Sequence, residues 1–241
     1  MSPILELEHV SKSFGSVRVA DDLNVRLEIG DALGVVGPNG AGKTTMMNLI
    51  AGTVPLDAGQ ILFEGRDVSR LPPHKRCRAG IGRTHQIPLP FEGLTVFENV
   101  LVGTRFGRAE PASDPYGMVM ALLERAGLSG RANALAGSLT LLERKRLELA
   151  RALATGPRLL LLDEIAGGLT EAEVDRLIEA IRDLRSEGIT IVWIEHIVHA
   201  LVSVVDRLLA IDFGRMLKEG PPDEVMASPE VQAVYMGVVD E

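Results

Sequence analysis

The 241-residue sequence is short of several things, and each shortage closes off a class of protein. It has one cysteine, Cys77, which excludes a disulfide framework and any four-cysteine metal site. Aromatic residues make up 4% of the chain, too few for a platform on which nucleic-acid bases stack. Positive charge is in deficit: 25 Lys and Arg against 33 Asp and Glu leave a net charge of −8. A nucleic-acid binder needs a basic face, so no nucleic-acid partner is expected. Long apolar runs are missing too. Ala200 to Phe213, the greasiest segment, is broken by Asp206, Arg207 and Asp212, well short of the roughly 20 apolar residues a membrane-spanning helix needs. MSPILELEHV, at the start, has no basic leader ahead of an apolar run. The expectation is a cytoplasmic protein whose contact with a membrane runs through a partner.

What is present reads as α/β. Apolar runs of strand length alternate with longer helical patterns. Ile4–Val10 and Leu23–Ile29 alternate apolar and polar residues, as half-buried antiparallel strands do. Ala32–Val36, Leu159–Asp163 and Thr190–Glu195 read as buried parallel strands ending in polar residues, where α/β ligand sites form. Leu208–Ile211 and Arg215–Lys218 flank Asp212-Phe213-Gly214 as a late hairpin. Between Pro88 and Pro157 the strand signal fades, and Thr95–Val102, Tyr116–Ala126 and Leu142–Ala154 read as helices. Residues 1–241 are therefore expected to form a single domain. Segments 1–87 and 157–241 make its core, and 88–156 an inserted helical subdomain. Pro222 to Glu241 reads as short helices broken at Pro229.

The strongest chemical signal is Gly37-Pro38-Asn39-Gly40-Ala41-Gly42-Lys43-Thr44-Thr45, which lies between the Ala32–Val36 strand and the helical stretch Met46–Ala51. This is G-x-x-x-x-G-K-S/T in the strand–loop–helix context it requires. The glycines let the backbone curl so that several N–H groups face one anion, and a Cβ at these positions is expected to crowd the phosphates. The helix that follows adds its positive dipole end. Lys43 supplies a point charge to the β- and γ-phosphates, and Thr44 a hydroxyl for Mg²⁺. ATP and Mg²⁺ are the expected cofactors.

Leu159–Asp163 ends in two carboxylates. Asp163 is expected near Mg²⁺, and Glu164 as the base that polarises an attacking water. Ile191-Val192-Trp193-Ile194-Glu195-His196 repeats the design with a histidine at its tip. His196 reads either as a sensor of the γ-phosphate or the water, or as a plain strand cap. The other histidines show no ligand spacing, so no metal beyond Mg²⁺ is expected.

Phosphate loop, Gln86 after a short strand, LLLLDE and a late histidine come in an order that resembles the ATP-binding-cassette ATPases, over Ile4 to Met236. Three segments resemble the subclass that energises importers of branched-chain and other hydrophobic amino acids. They are Ile81-Gly82-Arg83-Thr84-His85-Gln86 (compare I-x-R-T-F-Q), Ala166-Gly167-Gly168-Leu169-Thr170 (compare A-G-L-T) and Ile194-Glu195-His196. The signature-helix stretch Glu143–Leu153 adds to them.

The resemblance implies a RecA-like P-loop core with an antiparallel β part and an inserted helical subdomain. It makes Phe14 the aromatic that stacks on adenine, and Gln86 a residue that senses Mg²⁺ and water and links core to helices. Thr44, Gln86 and Asp163 become the Mg²⁺ residues; Glu164, His196, Gln86 and Lys43 become the catalytic ones. Ile87–Glu98 becomes the surface that receives a helix of a membrane permease subunit. Read without the family, Phe14 is a core or turn aromatic and Gln86 a surface residue.

One stretch departs from the family. Its signature, L-S-G-G-Q or L-S-G-G-E, acts in trans on the partner's ATP; here Leu139-Thr140-Leu141-Leu142-Glu143 stands in its place. Thr140 keeps a hydroxyl, whereas Leu142 puts a branched side chain where backbone must approach closely. Thr140-x-x-Glu143 and Thr170-x-x-Glu173 also read as capping boxes that start helices.

The leading expectation is the ATPase subunit of an importer. It would dimerise with an identical or homologous ATPase, act on integral permease subunits at the inner face of the membrane, and serve a substrate-binding protein indirectly. An exporter ATPase for lipid or polysaccharide, or a low-turnover nucleotide-binding regulator, are the alternatives. Cys77 is expected to be inert, although Lys75, Arg76 and Arg78 beside it would lower a thiol pKa. Arg144, Lys145, Arg146 and Arg151 read as a solvated or salt-bridged helix side.

Overall fold

Alternating side chains near the N-terminus form two long strands in the computed structural model, which describes residues 3–236. β1 (Leu5–Phe14) and β2 (Val17–Leu27) pair antiparallel from Leu5↔Leu27 to Phe14↔Val17. Both run further than their alternation predicts. Gly15, at φ +60°, and Ser16 close a two-residue hairpin, so pairing extends to its tip. β3 (Ala32–Val36) leads through the glycine-rich loop into α1 (Lys43–Ala51). β4 (Ala58–Phe63) and β5 (Arg66–Asp67) then complete a four-stranded antiparallel sheet in the order β2-β1-β4-β5. Neither was read from the sequence, since β4 opens on Ala-Gly-Gln and β5 has two residues.

α2 (Pro73–Ala79) and β6 (Ile81–Arg83) precede three helices: α3 (Val96–Phe106), α4 (Pro115–Arg125) and α5 (Leu141–Ala154). Thr95 starts α3 through a full capping box, donating its N–H to Glu98 at 2.7 Å and accepting the Glu98 N–H at 3.1 Å. β7 (Leu159–Asp163), α6 (Glu171–Ser186), β8 (Thr190–Ile194), α7 (Val198–Val202), β9 (Arg207–Asp212) and β10 (Arg215–Gly220) follow. The described chain closes with α8 (Pro222–Met226) and α9 (Pro229–Met236), broken where Pro229 predicts; residues 237–241 of that reading lie outside the described residues.

The second sheet has six strands in the order β10-β9-β3-β8-β7-β6, parallel except for the β9–β10 hairpin. Every residue of β3, β7 and β8 is buried because both faces are covered. Leu159 and Leu161 face one way, into a core shared with α1 and the antiparallel sheet, where Met46 and Met47 are fully buried. Leu160, Leu162 and Trp193 face the other way, against α6 and α7. A third cluster, from Val96 to Ala154, is built by the helices around α3, α4 and α5 alone. The fold class is the expected one.

Arg76 lies fully inside the molecule, unlike its neighbours in the basic run. Its guanidinium donates to the carbonyls of Leu49 at 2.6 Å and Ile50 at 2.9 Å, at the end of α1, and to Ser69 and Leu71 at 2.9 Å each. Leu49 and Ile50 lie in the last turn of α1, whose carbonyls have no i+4 partner within the helix. Burial pushes the Cys77 thiol pKa up, with Thr155 and Arg78 only partly opposing it, so the lowering that its basic neighbours suggested is corrected and the direction agrees with an inert thiol. Replacing Arg76 with Met, which keeps the stem and strips the donors, is expected to cost about 3 kcal/mol. Urea unfolding would read this; an unchanged midpoint would deny Arg76 this role.

Candidate active site

Val35, Ile194 and Asp163 lie level in the parallel register of β3, β8 and β7. The loops leaving these strands therefore meet at one edge of the sheet, where open α/β sheets bind ligands. The first is the phosphate loop. At Gly37 and Gly42 the chain's own backbone leaves no room for a side chain. A Cβ on Gly37 would lie 2.1 Å from the Ile211 carbonyl oxygen, and one on Gly42 2.3 Å from that of Val19. At Gly40 an added Cβ meets no atom of the chain within 4 Å, and the backbone there is left-handed, at φ +84°. Asn39 and Gly40 form the exposed lip of the loop, and Pro38 and Ala41 its inner wall.

Lys43, buried at the first turn of α1, donates to the carbonyls of Gly37 at 2.7 Å and Pro38 at 2.9 Å. Burial lowers its pKa, and Glu164 and Asp163 oppose that. Thr44 is exposed and Thr45 half-buried on the same turn. Val19 lies against Gly42, so the hairpin tip bearing Phe14 stands beside the loop. Phe14 is 53% exposed, with the Lys12 ammonium 5.4 Å from its ring centroid.

Asp163, at the tip of β7, is buried and held from two sides. Its Oδ2 accepts from Arg83 at 2.9 Å, and its N–H donates to the Thr84 hydroxyl at 3.2 Å. Arg83 also donates to Asn48 on α1 at 2.6 Å, tying the phosphate-loop helix to the carboxylate. Asp163 Oδ1 is buried and has no hydrogen-bond partner among the described residues. Thr44, Gln86 and Asp163 line one cavity of about 720 Å³.

Glu164, one residue on, takes the left-handed conformation at φ 48°, a strain worth about 1–3 kcal/mol for a non-glycine residue. It brings the expected catalytic side chains together: Glu164 Oε1 pairs with His196 Nε2 at 2.9 Å, and Oε2 accepts from the Gln86 amide.

The oxygen donors of Thr44, Asp163 and Gln86 suit Mg²⁺, and the unpartnered Asp163 oxygen is a buried acceptor ready for it. Among the described residues no group of three or more His, Cys, Asp or Glu could hold a metal. Mg²⁺ held here completes its shell from nucleotide phosphates and water.

Beside the loop that follows Glu164, Thr140 caps α5. It donates its N–H to Glu143 at 2.9 Å and accepts the Glu143 N–H at 3.3 Å, while Glu143 pairs with Arg131 at 3.1 Å. Leu142 is half-buried and lines a cavity of about 250 Å³ between α4, α5 and α6. The exposed side chain at the start of α5 is that of Leu141, 50% exposed. Thr170 donates to Glu173 at 2.8 Å as its capping box predicts.

Arg83, Asn48, Glu195 and Lys145 were given no role from the sequence. Three of them carried a signal: Arg83 in the Ile81–Gln86 segment, Glu195 in Ile194–His196 and Lys145 in the Glu143–Leu153 stretch. Of the two readings of the basic side of α5, the salt-bridged one holds for Arg144 with Glu92 and Arg151 with Glu148. Arg144 donates to Leu139, Gly137 and Glu92, and Arg151 to Glu148 and Leu89.

An anion cradle beside a buried carboxylate with a free lone pair is what MgATP requires, and this defines a P-loop ATPase. The family profile described as "ABC transporter" matches residues 20–167, and one described as "Branched-chain amino acid ATP-binding cassette transporter" matches residues 219–241. The chain belongs to the ABC transporter family. It is 34% identical to the lipopolysaccharide export system ATP-binding protein LptB of Haemophilus influenzae, over 97% of both chains. It is equally, 34%, identical to the high-affinity branched-chain amino acid transport ATP-binding protein BraF of Pseudomonas aeruginosa, over 98% of both. The ADP conformation of the ATP-binding cassette MJ1267 superposes with a TM-score of 0.87 at 29% identity, covering 98% of this chain and 100% of that one.

The chain is thus the Mg²⁺-dependent, ATP-hydrolysing subunit of an ABC transporter, a family whose ATPases dimerise and work with membrane permease subunits. No helix among the described residues is long and apolar enough to cross a membrane.

Glu164→Gln is expected to lower kcat by about 100-fold or more while ATP binding persists. Equilibrium binding of a fluorescent ATP analogue beside a steady-state phosphate-release assay would check this. Arg83→Met is expected to raise the Mg²⁺ concentration for half-maximal turnover about tenfold. A Mg²⁺ titration at saturating ATP that overlays the parent's would refute the hold of Arg83 on Asp163.

Proposed function

We propose that this chain drives an importer of branched-chain or other hydrophobic amino acids. It closes with a second ATPase subunit around two ATP molecules and so moves the permease subunits, at the cytoplasmic face of the membrane. The observation that carries the reading is the match of residues 219–241 to the branched-chain amino acid profile. The likeness to BraF and the segments Ile81–Gln86, Ala166–Thr170 and Ile194–His196 support it. A substrate-binding protein acts on this chain indirectly, through the permease.

In this reading Phe14 stacks on adenine, residues 37–45 cradle the phosphates, and Lys43 neutralises their charge. Thr44, Gln86 and Asp163 hold Mg²⁺. Glu164 polarises the attacking water, with His196 and Gln86 reporting the γ-phosphate. Residues 88–156 act as the helical subdomain that receives the permease. Ile87 and Leu89, 70% and 72% exposed, support a docking surface along the cavity below Gln86.

Thr140 and Glu143 reach the partner's ATP in trans. Leucines in place of both signature glycines make that opposite site slow, so the working assembly is an asymmetric pair. The likeness to LptB at 34% identity favours a second reading, export of lipopolysaccharide.

Affinity purification from detergent-solubilised membranes of the source cells, followed by mass spectrometry, separates the two. The importer reading expects permease subunits whose ATPase is stimulated by a leucine-loaded binding protein. Co-purification with lipopolysaccharide-carrying subunits instead would overturn it. Leu142→Gly and Leu141→Gly are each expected to raise turnover of the chain severalfold, about 3-fold or more. Full importer-like rates in the parent, unchanged in either variant, would end the asymmetric reading.

A further inference from the structure

A half-buried lysine and a buried glutamate outside the site already described hold the same loop behind Glu164. Lys145 lies in the second turn of α5, five residues after the Thr140 cap. It is half-buried and points away from α5 into the loop that follows β7. Its ammonium donates to the carbonyls of Gly167 at 2.5 Å and Ile165 at 3.0 Å, and lies 3.4 Å from that of Glu164. An ammonium has three donors and no acceptor, so this cage of carbonyls uses its full capacity.

Glu195, 2% exposed at the tip of β8, grips the same loop from below. Its carboxylate accepts the Ala166 N–H at 2.6 Å and the His196 N–H at 3.0 Å, and also the N–H of Ile197. Burial raises the Glu195 pKa and lowers that of Lys145, and each group opposes the shift of the other. Taking both out of water is unfavourable on its own, and loop carbonyls and N–H groups alone keep them satisfied. The left-handed Glu164 stands at the head of this loop, a conformation that persists only where its surroundings over-determine it.

We propose that Lys145 and Glu195 are positioning residues that set the geometry of Glu164 and His196 from the signature helix. Lys145 ties the 164–167 loop to α5, and Glu195 ties the same loop to the backbone of His196. One continuous set of hydrogen bonds thereby joins the end of α5 that faces the partner's nucleotide to the base and histidine of this chain's own site. A shift of α5 on closure pulls on the carbonyls at Glu164 and Gly167 rather than on the phosphate loop. The inference rests on the assignment of Glu164 and His196 to hydrolysis.

The test uses the purified full-length chain with Lys145→Met, Lys145→Arg and Glu195→Gln, and Glu164→Gln as the control for that assignment. Hydrogen exchange of the ATP-free chain needs no turnover. In Lys145→Met the amides of residues 164–169 are expected to exchange about tenfold faster, with α1 and the β3 and β7 strands at parental rates. In steady state, Lys145→Met and Glu195→Gln are expected to lower kcat about tenfold at unchanged KM, and Lys145→Arg to restore most of it. Parental exchange of the loop in Lys145→Met overturns the proposal. So does a loss in which KM rises in step with the fall in kcat, or one that Lys145→Arg does not rescue, since these mark a general packing defect. Undiminished turnover in Glu164→Gln would instead remove the assignment of the base and leave the exchange result standing.

Discussion

The site hangs from a single parallel register. Val35, Ile194 and Asp163 are level across β3, β8 and β7, so three loops leave the sheet at the same height. Burial on both faces holds that register: a slip of one residue would send Leu160 and Leu162 into the core that Leu159 and Leu161 occupy. With the strands locked, the phosphate loop, the Asp163 carboxylate and the Glu195–His196 tip have no freedom to drift apart. Chemistry that depends on reacting atoms within about 3–3.5 Å of each other needs such a frame.

The frame is reinforced by polar groups that few surface-charge arguments would single out. Arg76 closes the far end of α1, and Arg83 joins the body of α1 to Asp163 through Asn48. The helix that offers its N-terminus to phosphate is therefore anchored along its length by two guanidiniums. Lys43 is meanwhile parked on the carbonyls of Gly37 and Pro38, its ammonium satisfied within the loop it serves. Around this carboxylate one acceptor, Asp163 Oδ1, and one donor, Arg83 Nε, are left over among the described residues.

Local patterns were legible where neighbours in sequence are also neighbours in space. Gly37–Thr45, Leu159–Glu164 and the Thr140 and Thr170 caps were all read in place. Elsewhere contacts across the chain overruled the local view. The glycines of the phosphate loop were understood through the ligand, yet Ile211 and Val19, far away in sequence, are what exclude a Cβ at Gly37 and Gly42. The basic face of α5 was legible as solvated or salt-bridged, and Arg151 does pair with Glu148 one turn away; the acceptors for Lys145 and for the other contact of Arg151 come from the loop after β7 and from Leu89. Of the two leucines at the start of α5, the turn of the helix leaves Leu141 exposed and sets Leu142, half-buried, along the cavity between α4, α5 and α6, a difference that spacing alone does not give.

By itself the sequence determined the class of chemistry and the layout: a phosphate loop, an acidic strand end, a late histidine and a helical insertion, each encoded by spacing within a few residues. Tertiary structure alone decided which charged side chains become structural. Whether Arg76, Arg83, Lys145 and Glu195 stay in water or are buried against carbonyls and N–H groups depends on elements brought from up to 80 positions away, as in the Arg83–Asp163 pair. Hydrogen bonding is short-ranged and directional, so that choice exists only once the sheet has set the distances.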